Sequence, residues 1–301
     1  MKEIRDILDR VAAFESGQRA VLATVIEVIG SGYRLPGARM LILPDGGTAG
    51  TVSGGCLEAD VLERAKLVLE TGQSEIFTYD TTENEASVFS LNMGCRGVVR
   101  IKLELIGNDS EIIAAMKAAY QGRVASEDLL PPIALLLFGA GTDAIPLVRI
   151  AAELGWQVTV YDHRPAFLTA ERFPKAQILV EQQPDRSPVI TADALTAAVI
   201  MTHNYSRDRL ILPALLRSSA FYVGTLGPKR RTEQLLEELA AAGEIFTQDQ
   251  LARLYAPVGL DIGADTPEAI ALSIAAEIQS VLKKRGGSHL RDRKGSIYDR
   301  Q

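Results

Sequence analysis

The chain has 301 residues, 47% hydrophobic and 23% charged, which excludes disorder, collagen and coiled coil as its overall class and suggests two domains. A formal charge of −6 provides no basic surface for nucleic acid, and two cysteines, Cys56 and Cys95, cannot build a disulfide framework. No apolar run approaches the ~20 residues that cross a bilayer, and Met1 to Asp6 is too charged for a signal peptide, so the expected class is a cytoplasmic protein with no membrane partner.

Ile4, Ile7, Leu8 and Val11 form an apolar stripe that predicts a helix over 3–14. The β-branched run from Ala20 to Val28 predicts a buried strand. Met40–Leu43 and Thr48–Val52 predict a hairpin about the turn Pro44-Asp45-Gly46-Gly47. A helix over 57–70 and strands over 75–79 and 98–106 complete an N-terminal α+β domain, residues 1–106. Residues 107–132 hold one helix, 111–120, and a linker in which Pro131-Pro132 stops any helix and marks the seam.

From 133 to 285 the pattern alternates. Apolar strands are expected at 133–138, 157–161, 176–181, 198–202 and 221–224, with helices at 143–154, 208–217 and 230–242. Continuous apolar strands separated by helices predict a doubly wound, Rossmann-like parallel sheet, making the whole chain α/β. Asp265-Thr266-Pro267-Glu268 starts a last helix, whose inner face is expected to be Ile270, Ile274, Ile278 and Val281. Residues 286–301 are expected to form a flexible tail.

The first strand of the second domain runs into Gly139-Ala140-Gly141-Thr142-Asp143-Ala144, a G-x-G-x-x-A turn opening a helix. Gly139 permits the turn, Gly141 lets backbone approach a pyrophosphate, and Ala144 allows close packing. Asp162, 21 residues beyond Gly141, ends the next strand, where an acid meets a ribose hydroxyl. The pattern points to NAD(P) or another phosphate ligand; the plainer alternative is packing by small residues. His203 and Asp208, at and just beyond the carboxyl end of the strand ending at Thr202, are the candidate catalytic residues, with a strand-capping histidine as the alternative.

In the first domain, Ser53-Gly54-Gly55-Cys56-Leu57-Glu58 joins strand to helix. Exposed amides and a helix N-terminus attract an anion there and favour the Cys56 thiolate. Cys95 lies in Met93-Gly94-Cys95-Arg96-Gly97, beside a cation. Both cysteines could instead be small buried hydrophobes. Neither the spacing of a zinc site nor a G-x-S-x-G elbow occurs. Arg34, between the Gly30-Ser31-Gly32 and Pro36-Gly37 turns, could clamp a phosphate or be a solvated hairpin arginine.

These runs, with Asp162-His163-Arg164-Pro165, Thr202-His203 and Pro257-Val258-Gly259-Leu260-Asp261-Ile262-Gly263-Ala264, resemble the XdhC/CoxI family, accessory proteins that mature molybdenum hydroxylases such as xanthine dehydrogenase. The resemblance covers nearly the whole chain and is most specific at 53–58 and 257–268. It implies a chaperone of the molybdenum cofactor (molybdopterin) that protects it during sulfuration by a cysteine desulfurase and passes it to an apo-molybdenum hydroxylase. It further implies that Cys56, as a soft ligand to the metal, and Cys95 hold the cofactor, that the Ser53, Gly54 and Gly55 turn suits its phosphate, and that the protein is a homodimer. Arg96 stands where the family often has glycine, and Gly32-Tyr33 where it has Ser-Pro or similar. The alternative functions are an NAD(P)-dependent oxidoreductase and a protein-binding scaffold.

Overall fold

The computed structural model describes residues 1–30, 32–80, 97–124 and 129–294. Cys95, Arg96, Ser31 and the last residues of the expected tail lie outside them. The chain divides into two compact units, Met1–Pro131 and Pro132–Asp299.

The first unit contains α1 (Lys2–Ala12), β1 (Ala20–Gly30), β2 (Arg39–Ile42), β3 (Thr48–Gly50), α2 (Glu58–Thr71), β4 (Glu75–Asp80), β5 (Gly97–Ile106) and α3 (Glu111–Tyr120). Its sheet is antiparallel, in the order β3-β2-β1-β5-β4. Both faces are covered, which explains why β1 reads as a continuous apolar run rather than an alternating one. Val21, Ala23 and Val25 pack with Val61, Ala65 and Val68 of α2. Ala20 and Leu22 pack with Ile4, Ile7 and Val11 of α1 and with Ile113 and Met116 of α3. Helix α3 is therefore part of the first core.

The second unit contains β6 (Ala134–Phe138), α4 (Ala144–Glu153), β7 (Gln157–Asp162), β8 (Ile178–Glu181), β9 (Thr196–Ile200), α5 (Tyr205–Arg217), β10 (Tyr222–Thr225), α6 (Lys229–Ala241), α7 (Gln248–Leu251), β11 (Leu254–Tyr255) and α8 (Pro267–Leu282). All its strands are parallel, in the order β11-β10-β9-β6-β7-β8. Read from the other edge and numbered within the unit, this is 3-2-1-4-5-6, the Rossmann order, with its switch point between β6 and β9. Leu135 and Leu137 face α4 and α8, where Ile274 and Ile278 are fully buried. Leu136, Phe138 and Ile200 face α5 and α6. The sheet is wound on both sides, as the alternating pattern predicts. Strand β9 ends at Ile200, two residues short of the expected Thr202, because the chain then turns into the loop that carries His203.

Candidate functional site

In the first unit the candidate site is the junction between β3 and α2. Ser53 is buried and its hydroxyl is the hub of the turn, accepting from the Leu57 amide at 3.0 Å and the Gly55 amide at 3.3 Å. The same hydroxyl donates to Glu58 Oε2. Glu58 reaches back over the turn and also accepts from Thr51 Oγ at 2.6 Å, from the Ser53 amide at 2.9 Å and from the Gly55 amide at 3.0 Å. Burial pushes its carboxyl up in pKa, but the Ser53 and Thr51 hydroxyls and the Ser53 amide outweigh that and hold it below its ordinary value. Gly55 has φ of 104°, a conformation open to glycine and strained for other residues.

This framework leaves Cys56 exposed, its Sγ 3.6 Å from Ser53 Oγ. The amides of Ser53, Gly55 and Leu57 are engaged by the chain's own side chains, whereas those of Gly54 and Cys56 make no hydrogen bond among the described residues. A Cβ on Gly54 would lie 3.3 Å from the Tyr33 ring, so the glycine lets that ring rest against the turn. The 32–38 segment and the cysteine turn are thus brought together, but through Tyr33. Arg34 is instead ion-paired with Glu3 of α1. Spacing did not single out Glu58 as an organiser, because a reach of five residues back to Ser53 is not that of a capping box.

In the second unit the candidate residues converge on the switch point. Gly139 has φ of 120°, and a Cβ there would lie 2.3 Å from the Met201 carbonyl oxygen; it is glycine because β6 and the end of β9 approach so closely. Ala144, the first residue of α4, is fully buried. Asp162 is buried, with Oδ2 accepting from the Ala140 amide at 2.7 Å and Arg164 Nη2 at 2.8 Å. Its Oδ1 accepts from the Arg164 amide and Nε, each at 2.9 Å. Four acceptor positions are thereby filled within the chain. Burial raises its pKa, but the Arg164 side chain and the Ala140 and Arg164 amides prevail and bring it down to about 2.

His203 is exposed, in the left-handed region at φ of 54°, three residues past the end of β9. Its Nε2 lies 2.7 Å from Asp143 Oδ2 across the switch point. Asp208 is not its partner. That buried carboxylate accepts from Thr202 Oγ and, at 2.8 Å, from Arg231 Nη2, tying the loop after β9 to the start of α6. The 60 residues between Asp143 and His203 hid their pairing from sequence reasoning. Oδ1 of Asp143 would lie 2.6 Å from a Cβ on Gly141, so a carboxylate accompanies the glycine expected to approach a pyrophosphate. Among the described residues no group of three or more His, Cys, Asp or Glu could hold a metal ion, and no helix is long and apolar enough to cross a membrane.

Comparison with known proteins matches residues 13–80 to the XdhC and CoxI family and residues 135–278 to the XdhC Rossmann domain. A Bacillus subtilis protein, named as a probable subunit of xanthine dehydrogenase, is 30% identical, over 91% of this chain and 96% of its own. The chain belongs to the XdhC and CoxI family. A second relative of this XdhC-type chain, the "Molybdenum cofactor insertion chaperone PaoD" of Escherichia coli, is 25% identical over 90% of this chain and 86% of its own. The crystal structure of a xanthine dehydrogenase from Bacillus halodurans aligns with a TM-score of 0.78 at 29% identity, covering 96% of this chain and 98% of that one.

Proposed function

We propose that this protein is a maturation factor that binds the molybdenum cofactor, protects it while a cysteine desulfurase sulfurates it, and delivers it to an apo-molybdenum hydroxylase of the xanthine dehydrogenase type. The observation that carries the reading is the exposed Cys56 thiol on a turn held rigid by Ser53 and Glu58. The name of the insertion chaperone similar to this chain over most of its length supports it.

The residues present fit such a cofactor. A thiolate is a soft ligand suited to a molybdenum–sulfur centre. The Gly54 and Cys56 amides, without partners among the described residues, are available to an anionic phosphate. When bound, the cofactor supplies the metal and pterin for which the thiol is the anchoring group. The chain's own part is to present the sulfur: Glu58 orders the turn through four hydrogen bonds while leaving Cys56 at the surface. Delivery in a cytoplasmic setting and assembly as a homodimer belong to the same proposal.

The rival reading, an NAD(P)-dependent oxidoreductase, is favoured by the Rossmann strand order and by the Asp143–His203 pair, in which a carboxylate orients an imidazole. The engaged Asp162 and the Asp143 carboxylate beside Gly141 support it less, because a pyrophosphate there would meet negative charge. The deciding experiment compares molybdenum and pterin retained by wild type and Cys56→Ala after anaerobic mixing with the cofactor. Loss of retention in the variant is expected; equal retention removes the thiol from the account.

A further inference from the structure

Doubly wound sheets bind ligands beyond the carboxyl ends of their strands. Among the turns of the second unit at that edge, those after β6, β9 and β10 differ in charge. The turn after β6 carries the Asp143 carboxylate, joined to His203. The turn after β9 is closed by Asn204, whose side chain caps α5 by accepting from the Arg207 amide. The turn after β10 reads Leu226-Gly227-Pro228-Lys229-Arg230-Arg231, so three consecutive cations open α6, with no acid in its first turn and no side-chain cap. Cations are disfavoured at a helix N-terminus, so helix stability does not account for the run.

Two of these cations, Arg230 and Arg231, border a cavity. Tyr205, Pro228, Arg230, Arg231 and Gln234 line a space of about 570 Å³. Arg231 is fixed in its wall, bonded to Asp208 at 2.8 Å, its guanidinium 5.2 Å from the Tyr205 ring centre. Lys229 reaches Glu233 at 3.7 Å, whereas Arg230 is exposed and forms no ion pair among the described residues. The Tyr205 ring forms part of the same wall, with its hydroxyl shielded from solvent. Burial, and then the Glu238 carboxylate, raise its pKa, so it stays protonated. A second cavity of about 640 Å³ shares Pro228 with the first, and its walls include Leu226, Val258, Leu260, Ile262 and Ile270. It is built on Pro257–Ala264, part of the most specific sequence run of this unit, to which the maturation role assigns no task.

We propose that the two adjoining cavities form one binding site for a phosphate-bearing ring compound of mononucleotide size. Arg230 and Arg231 take the phosphate oxygens, and the uncharged body lies against Val258 and Ile262. Arg231 is paired with Asp208 while Arg230 has no carboxylate among the described residues, and the donors of two neighbouring guanidinium groups match the several oxygens of a phosphate dianion. Apolar walls beside a few convergent polar groups are the usual make-up of a small-molecule site. In this arrangement Asp208 is a positioning residue, holding Arg231 toward the ligand.

The test is calorimetric titration of the full chain at low salt with AMP, CMP and pyrophosphate. At least one nucleoside monophosphate is expected to bind, and Arg230→Ala, at an exposed position, to weaken it by about tenfold or more. Arg230→Lys should restore part of the loss. Ile262→Trp, which fills the apolar cavity, should weaken the mononucleotide and leave pyrophosphate unchanged. No binding of any probe at millimolar concentration, binding indifferent to Arg230→Ala, or mononucleotide binding indifferent to Ile262→Trp overturns the proposal. These variants leave Cys56 and its turn intact, so their molybdenum retention reports separately on the maturation role.

Discussion

Two strand–glycine–helix turns, Ser53–Glu58 and Gly139–Ala144, share a composition but not an arrangement. In the first, Glu58 reaches back to the amides of Ser53 and Gly55 and leaves the nearby cysteine open to solvent. In the second, Gly139 is pressed against the Met201 carbonyl, the Ala140 amide is taken by Asp162, and Asp143 lies beside Gly141 while bonded to His203. The first turn organises an accessible nucleophile; the second is chiefly a close-packed junction of strands. Glycine spacing alone does not separate these cases. The partners of the neighbouring amides do.

The largest expected effect in this comparison is at Gly139. Alanine there meets both a left-handed backbone and the Met201 carbonyl at 2.3 Å, and should destabilise the second unit by more than about 3 kcal/mol in chemical denaturation. Next is Asp162→Asn, which leaves Arg164 without its carboxylate and should cost about 2 kcal/mol. The folded pKa of about 2 lies below the unfolded value, so this stabilisation is full above about pH 5 and fades as the pH falls through 4 toward 2. The variant should therefore show a flatter acid limb of stability than wild type. An unchanged acid limb would mean that Arg164 does not hold the carboxylate in solution.

Glu58→Ala should come third, at about 1–2 kcal/mol, because it leaves the Ser53 hydroxyl and the Ser53 and Gly55 amides without the carboxylate that accepts from them. Faster alkylation of Cys56 by a large maleimide should accompany it as the turn loosens, and this separates an organising carboxylate from a merely stabilising one. Smallest is Gly55→Ala, at about 1 kcal/mol, since its φ of 104° is strained for alanine but nothing lies within 4 Å of the added methyl. Equal costs at Gly55 and Gly139, read from the same denaturation curves, would erase the contrast between the two turns.

The fold was legible where one periodicity dominated. The apolar stripe of α1, the hairpin at Pro44–Gly47 and the alternating segments after Pro132 each report burial on a fixed face, and the two units carry those elements. Short elements escaped notice: α7 is one turn, and β11 has two residues that count as a strand only by pairing with β10. The site was less legible because its bonds are not local. Arg34 pairs with Glu3, His203 with Asp143 and Asp208 with Arg231, separations of 31, 60 and 23 residues that no spacing rule covers. Cys56, by contrast, was marked by its own glycine neighbours, and the structure places it at the surface of the turn.

The central claim is that Cys56, presented by the Ser53–Glu58 framework, anchors the cofactor for transfer. The most direct measurement is the rate at which cofactor-loaded protein activates an apo-molybdenum hydroxylase, compared for wild type and Cys56→Ser with free cofactor as reference. The account predicts that wild type activates faster than free cofactor and that the variant loses this advantage. Undiminished activation by Cys56→Ser would contradict it.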